Sequence, residues 1–474
     1  MNTARATAQP NILIVVVDSM RADHVGCYGY KRDTTPTIDA LAADGCRFDR
    51  AITAAPFSPA SYASMMSNLY PHQHGVNGDT VRVWPDAMPR LPELLKAQGY
   101  TTFCLSNNSF VSQDTNAVRG FDTFLDWRHS RSLRLKQKLS RRLRMHLGET
   151  TAKRLSNSLH CLAKGDSEQT MRNAARIIAA ARQPWFGFII LMDPHMPYSN
   201  RRLRYTQRTP AVRRFFAESN DRTLCADLMA DNTGLSDEFR SVANDLYDGE
   251  IRFSDQCVGQ LIDDVKRLGQ FDNTLLAVTA DHGEAFGEQE VWGHGFCLTD
   301  CLTRVPLIMR HPESFPAGGV CDAVVQLHDL HDTCMHAAGV KSCEQSLTQA
   351  ADPYWPGREH AFTEFPRQSK TLKYMHDRNP GFQPGRWDHD MWAVRSREWR
   401  YVEYDGYGVE LFDLASDPGE TTSVHAGHAD RCHDMAQILA AHRDDQPYEP
   451  AGDGSDQQMD EVVVERLRSL GYID

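Results

Sequence analysis

Asp18, Asp281 and His282 are the residues with which chemistry could begin. Asp18 follows the apolar run NILIVVV at 11–17, and Asp281-His282 follows TLLAVTA at 274–280. Both runs have the length and apolar content of buried parallel strands. Side chains just beyond the carboxyl ends of such strands face the crevice in which α/β proteins bind ligands. Two aspartates and an imidazole brought together there would offer hard oxygens and one nitrogen to a divalent cation. The plainer alternative makes Asp18 a helix N-cap and Asp281-His282 an ordinary turn.

A third element of chemistry lies in SPASYASMMSN. Ser58 is expected at a helix N-cap and Pro59 at the first helical position. A hydroxyl there sits in the positive field of the helix N-terminus, which favours an anionic substrate and a partly ionised nucleophile. A plain N-cap serine explains the same residues. Two loops carry further candidates: WFGFIILMDPHMPY at 185–198 brings Asp193 and His195, and GEAFGEQEVWGHG at 283–295 brings His294.

The rest of the chain supplies the elements that must position these groups. PTIDALAADG reads as a short helix stopped by Gly45, and CRFDRAITA at 46–54 as a strand. LPELLKAQGYTTFCLSNNSF at 91–110 reads as helix, glycine stop and strand, one repeat of a doubly wound sheet. The longest helical pattern covers 236–270, and VPLIMR at 305–310 is a strand. AVRSREWRYVEYDGYGVELFDL at 393–414 alternates like a hairpin, and the closing ERLRSLGYID suggests a short helix. A strongly basic helical stretch at about 128–170, and arginines at 201, 202, 204, 208, 213, 214 and 222, read as solvated surface or as a wall facing an anionic substrate.

Composition bounds the possibilities. A chain of 474 residues with 41% hydrophobic and 24% charged residues is an ordinary globular protein with room for a large domain and an appendage. The net charge of −12 argues against general nucleic-acid binding. The 12 cysteines include no CxxC pair and no metal-finger spacing. No secretory leader is recognised, and the 11–17 run is too short to span a bilayer, so no membrane association and a cytoplasmic location are expected.

Read together, NILIVVVDSMRADHVGCYGY, SPASYASMMSNLYPHQHGV, DPHMPY, NTLLAVTADHGE, WGHG, ELFDLASDPGETTSV and RLRSLGY resemble, in order, the sulfatase family of the alkaline phosphatase superfamily. The resemblance covers nearly the whole chain apart from the basic insertion and parts of 340–390. It implies an α/β sandwich with a large, mostly parallel central sheet flanked by helices, and a small C-terminal antiparallel sheet. The expected division is a catalytic domain over 1–350 and a subdomain over 351–474. Carried over residue by residue, Asp18, Asp281 and His282 would ligate one divalent metal, with Ser58 as nucleophile completing its shell. His195 would act as general acid near the leaving group, and His294 falls where the family often has an anion-contacting lysine. Tyr62, Asn77 and Asn108 are the expected substrate contacts.

Four departures from the family pattern qualify this. Tyr62 replaces the arginine that helps hold a formylglycine hydrate, and Ser19 replaces a second carboxylate ligand. His282 stands where calcium-type sulfatases have asparagine, which favours Mn²⁺, Zn²⁺ or Fe²⁺ over Ca²⁺. Asn107 and Asn108 occupy the position of a lysine-x-histidine pair. Three readings follow: a sulfuric ester hydrolase using Ser58, with or without conversion to formylglycine; a phosphate or phosphonate ester hydrolase using unmodified Ser58; and a non-catalytic anion-binding relative. The expected partner is a small-molecule or saccharide anionic ester, with a homo-oligomer and a maturation enzyme for Ser58 left open.

Overall fold

The computed structural model describes residues 9–126, 166–199, 202–207, 209–212, 215, 228–229, 236–340, 345–352 and 354–444. The basic insertion up to 165, the arginines at 201, 208, 213, 214 and 222, and the closing helix expected at 465–474 lie outside the described residues.

In chain order the strands are β1 (Asn11–Val17), β2 (Cys46–Ile52), β3 (Thr101–Ser106), β4 (Thr123–Asp126), β5 (Trp185–Leu191), β6 (Thr274–Thr279) and the two-residue β7 (Ala285–Phe286) and β8 (Trp292–Gly293). They continue with β9 (Arg304–Arg310), β10 (Gly319–Gln326), β11 (Ala361–Phe365), β12 (Met391–Arg395), β13 (Trp399–Tyr404) and β14 (Gly408–Asp413). Among the described residues, eight strands form the large sheet in the order β10-β2-β9-β6-β1-β5-β3-β4. Every residue of β1, β5 and β6 is buried, as expected of central strands covered on both faces. All pairings are parallel except those of β9, which runs antiparallel to both β2 and β6. The sheet is therefore mostly parallel, and this architecture with its small antiparallel companion matches the expected fold class.

The helix Asp237–Arg267 is the longest described, and its caps explain its limits. Ser236 accepts from the Phe239 amide, Asp237 and Glu238 occupy the first turn, and Lys266 and Arg267 occupy the last. Its buried face, including Val242, Leu246, Tyr247, Ile251, Val258 and Leu261, repeats at threes and fours and packs into the main core.

The hairpin expected at 393–414 is larger than that. β12, β13 and β14 form an antiparallel meander to which β11 adds a fourth strand. The helix Ala429–Arg443 covers this sheet, with Met435 and Leu439 against Val394, Tyr401 and Leu411. Two hydrogen bonds tie the two sheets: the Glu364 amide donates to the Ala54 carbonyl, and Thr363 Oγ1 to the Thr53 carbonyl.

Candidate functional site

Strand register brings the two aspartates side by side. Val16 of β1 is level with Thr279 of β6, so two residues further on Asp18 and Asp281 emerge together at the carboxyl edge. The Asp18 amide stays bonded to the Leu191 carbonyl of β5, fixing the chain where its side chain leaves the sheet. Gly283 closes the other side. A Cβ at that position would collide with the Cys301 carbonyl, and its amide donates to the Leu302 carbonyl at 2.8 Å, so the chain after Asp281 runs against the 299–303 segment.

Ser58 arrives at the same point from the start of the helix Ser58–Ser67. Phe57 is extended and holds the N-cap position, so Ser58 is the first helical residue and Pro59 the second, one step further in than expected. Ser61 anchors this turn through its hydroxyl to the Asp281 carbonyl at 2.8 Å. The Ser58 hydroxyl lies 2.8 Å from Asp281 Oδ2, 3.2 Å from Asp18 Oδ2 and 3.3 Å from His282 Nε2. Asp18, Ser58, Asp281 and His282 are all fully buried.

The chemistry of this donor set fits a divalent cation. His282 Nδ1 lies 2.8 Å from the Gly283 carbonyl and so carries the proton, leaving the lone pair of Nε2 turned toward Ser58. Tyr62 and Asn108 also donate to Asp18 Oδ2, so one hydroxyl proton is left for Asp281 Oδ2 and His282 Nε2 and can satisfy only one of them. Burial pushes the Asp281 carboxyl well above its ordinary range, with the neighbouring Asp18 adding to the rise. Burial also acts to raise Asp18, but His195, His282, the Asn108 amide and His294 hold it below its ordinary value. A cation among Asp18, Asp281 and His282, whose ligand atoms lie within 4.8 Å of one another, resolves both the missing protons and the crowded negative charge.

A layer of supporting groups surrounds these three. Ser19, in a left-handed conformation at φ 62°, donates its amide to Asp281 Oδ1 at 3.1 Å and its hydroxyl to Asp18 Oδ1 at 3.0 Å. The residue in the place of a family carboxylate thus bridges the two that remain. Tyr62 and Asn108 both donate to Asp18 Oδ2, at 3.1 and 2.8 Å. These bonds orient Asp18 and place Tyr62 and Asn108, both expected as substrate contacts, beside the Ser58 hydroxyl. Asn77 differs more. Its Oδ1 accepts from the Asp79, Thr80 and Val81 amides and its Nδ2 donates to Thr80 Oγ1, so its side chain builds a turn.

His195 and His294 complete a group of three imidazoles. The His294 ring centre is 4.6 Å from that of His282 and 4.8 Å from that of His195. His195 donates from Nδ1 to the Met196 carbonyl, which fixes the orientation of its ring. Asp193, two residues earlier, is a loop anchor: it accepts from Ser254 Oγ at 3.3 Å and from Arg202 at 2.6 Å.

Sequence reasoning passed over Glu284, which lies 3.3 Å from His294 Nδ1 and is fully buried. Its place in DHGE, one residue beyond two ligand candidates, was the available signal. It also passed over Tyr247 on the long helix, whose hydroxyl accepts from the Arg21 amide at 2.8 Å and donates to the Ser19 carbonyl. Of the arginines expected near the entrance, Arg202 is neutralised by Asp193 and Glu250, and Arg204 pairs with Asp33.

The chain belongs to the sulfatase family, whose model matches residues 10–340. It is an enzyme of the sulfuric ester hydrolase class. The choline-sulfatase of Rhizobium meliloti is 24% identical over 98% of this chain and 93% of its own length. The arylsulfatase of Clostridium perfringens is 23% identical over 88% and 90%. The phosphonate monoester hydrolase of Agrobacterium radiobacter shares the fold, with a TM-score of 0.68 at 21% identity over 92% of this chain and 95% of that one. Enzymes of this family generally work with a divalent metal ion. Among the described residues, no helix is long and apolar enough to cross a membrane.

Proposed function

We propose that the protein hydrolyses a sulfate monoester of a small molecule or saccharide, with the oxygen at position 58 as nucleophile. The observation that carries this reading is the convergence of Ser58 Oγ with Asp18, Asp281 and His282 at one buried point. A divalent cation held by those three residues, with Mn²⁺, Zn²⁺ or Fe²⁺ favoured over Ca²⁺ by the imidazole, would neutralise the ester's oxygens and lower the nucleophile's pKa.

The chain's own groups do the rest. Asp281 Oδ2, 2.8 Å from the hydroxyl, aligns Ser58 and accepts its proton. The positive end of the helix Ser58–Ser67 favours the anionic group. As the new S–O bond to position 58 forms, the bond to the leaving oxygen breaks and that oxygen takes a proton from His195 Nε2. Glu284 holds His294 beside the other two imidazoles, where it can contact the anion.

A second reading has one observation in its favour. Tyr62, in the place of the arginine that serves a formylglycine hydrate, is committed to Asp18. With Ser58 unmodified, the same machinery would cleave a phosphate or phosphonate ester through a phosphoserine. A homo-oligomer and a maturation enzyme acting on Ser58 belong with the first reading as its open partners. The test is turnover of nitrophenyl sulfate, phosphate, phosphodiester and phosphonate by protein stripped of metal and reloaded with Mn²⁺, Zn²⁺ or Ca²⁺, alongside the mass of the Ser58 peptide. Dominant sulfate turnover is expected. Dominant phosphorus-ester turnover with an unmodified peptide would replace the first reading by the second.

A further inference from the structure

A second convergence of imidazole and carboxylate lies at the joint between the two sheets and shares no residue with the first. Glu364 on β11 places Oε1 at 2.7 Å from His72 Nδ1 and at 2.8 Å from His442 Nε2. Its other oxygen accepts the His72 amide at 2.8 Å, so the carboxylate is fixed in orientation. The three side chains come from distant parts of the chain: Glu364 is 292 residues from His72 and 78 from His442. Their side chains are 13%, 4% and 6% exposed for His72, Glu364 and His442.

We infer that His72, Glu364 and His442 form a second divalent-metal site, structural and separate from the catalytic one. Their ligand atoms lie within 4.8 Å of one another. Two imidazoles and one carboxylate suit Zn²⁺ or a similar first-row ion better than Ca²⁺ or Mg²⁺. Zinc takes such ligands at about 2.0–2.2 Å in a tetrahedron, so the nitrogens need to draw back from the carboxylate oxygen by only about half an ångström. Coordination exchanges two N–H···O bonds for two nitrogen–metal bonds. Each ring ligates as the neutral imidazole with its proton on the other nitrogen, and the fourth position is left to water.

The surroundings hold the rings ready. Phe362 stacks on His442 with centres 3.9 Å apart and planes 5° from parallel. Tyr70 meets the same ring edge-on at 4.4 Å. A metal here would pin the helix Ala429–Arg443 to the short helix Pro71–His74 that follows the Ser58 helix in the chain.

The experiment counts metal per chain after the full-length protein is stripped by chelator and dialysed against Zn²⁺. Two ions per chain are expected in the wild type, one in His442→Gln, one in His72→Gln, and one in Asp281→Asn. The combined Asp281→Asn, His442→Gln protein should hold none, and Zn²⁺ should raise the melting temperature of Asp281→Asn but not of the combined variant. One ion in the wild type with none in Asp281→Asn overturns the second site, as do two ions in both histidine variants. Should His442→Gln not fold, the count in Asp281→Asn decides: one supports the site and zero removes it. Failure of the catalytic assignment looks different, since Asp281→Asn would then keep two ions while His442→Gln kept one.

Discussion

The catalytic centre and the joint between the sheets both bury carboxylates, yet they treat the charge in opposite ways. At the centre, Asp18 and Asp281 face each other across a single hydroxyl. At the joint the carboxylates face imidazole and guanidinium side chains. Glu364 accepts from two imidazoles, and Asp300 meets Arg395 at 3.2 Å and also Arg400. Burying an uncompensated charge is costly, so a fold keeps such a pair only where something added supplies the missing positive charge. Guanidinium groups balance Asp300 and two imidazoles hold Glu364, while Asp18 and Asp281 lie against each other and against neutral hydroxyl and amide donors.

If that division is right, substitutions in the two places should have separable effects. Ser58→Ala should lower kcat by about 10⁴–10⁶-fold, as loss of a covalent nucleophile does. Asp281→Asn should likewise abolish metal binding at the centre and turnover. Its metal-free melting temperature should stay level or rise, because one of two opposed carboxylates has gone; a large fall would show that Asp281 is structural.

His195→Ala should slow esters with poor leaving groups by about 100–10,000-fold while leaving nitrophenyl esters nearly untouched. Equal loss on both would remove His195 from the acid role. Asp300→Asn should do the reverse of the catalytic variants, costing about 3 kcal/mol of unfolding free energy with little change in kcat. Burial acts to raise Asp300, but Arg395, Arg400 and Arg304 leave it below its ordinary 3.8. A carboxyl depressed in the folded state contributes stability above its unfolded pKa and loses it as pH falls through the folded one. Urea titrations of wild type and Asp300→Asn should therefore differ most above about pH 4 and converge under stronger acid. Smallest, Tyr62→Phe removes one of three bonds to Asp18 Oδ2 and should weaken metal binding about 10–100-fold without unfolding the protein. Unchanged affinity would mean that Asn108 and Ser19 suffice to orient Asp18.

The centre was legible in the sequence because its parts are local. An apolar run followed at once by an aspartate gives both the strand and the position of the carboxylate, so Asp18 and Asp281 could be paired before any register was known. What escaped reading depends on partners distant in the chain. VPLIMR looks the same in either direction, and only its pairing with β2 and β6 makes β9 antiparallel. Tyr62 and Asn108 reveal their bond to Asp18 only when helix and strand are packed, and Asn77 its turn only when Val81 folds back. The shift of Ser58 from N-cap to first helical residue turns on the extended backbone of Phe57, which no residue type announced.

The complete burial of Ser58 bears on timing during synthesis. Asp281, which closes over it, follows 223 residues later in the chain. Until that stretch leaves the ribosome, the serine lies on an open segment that another protein can grasp. Afterwards it is enclosed. A macromolecule acting at this position would have to meet the chain before that closure.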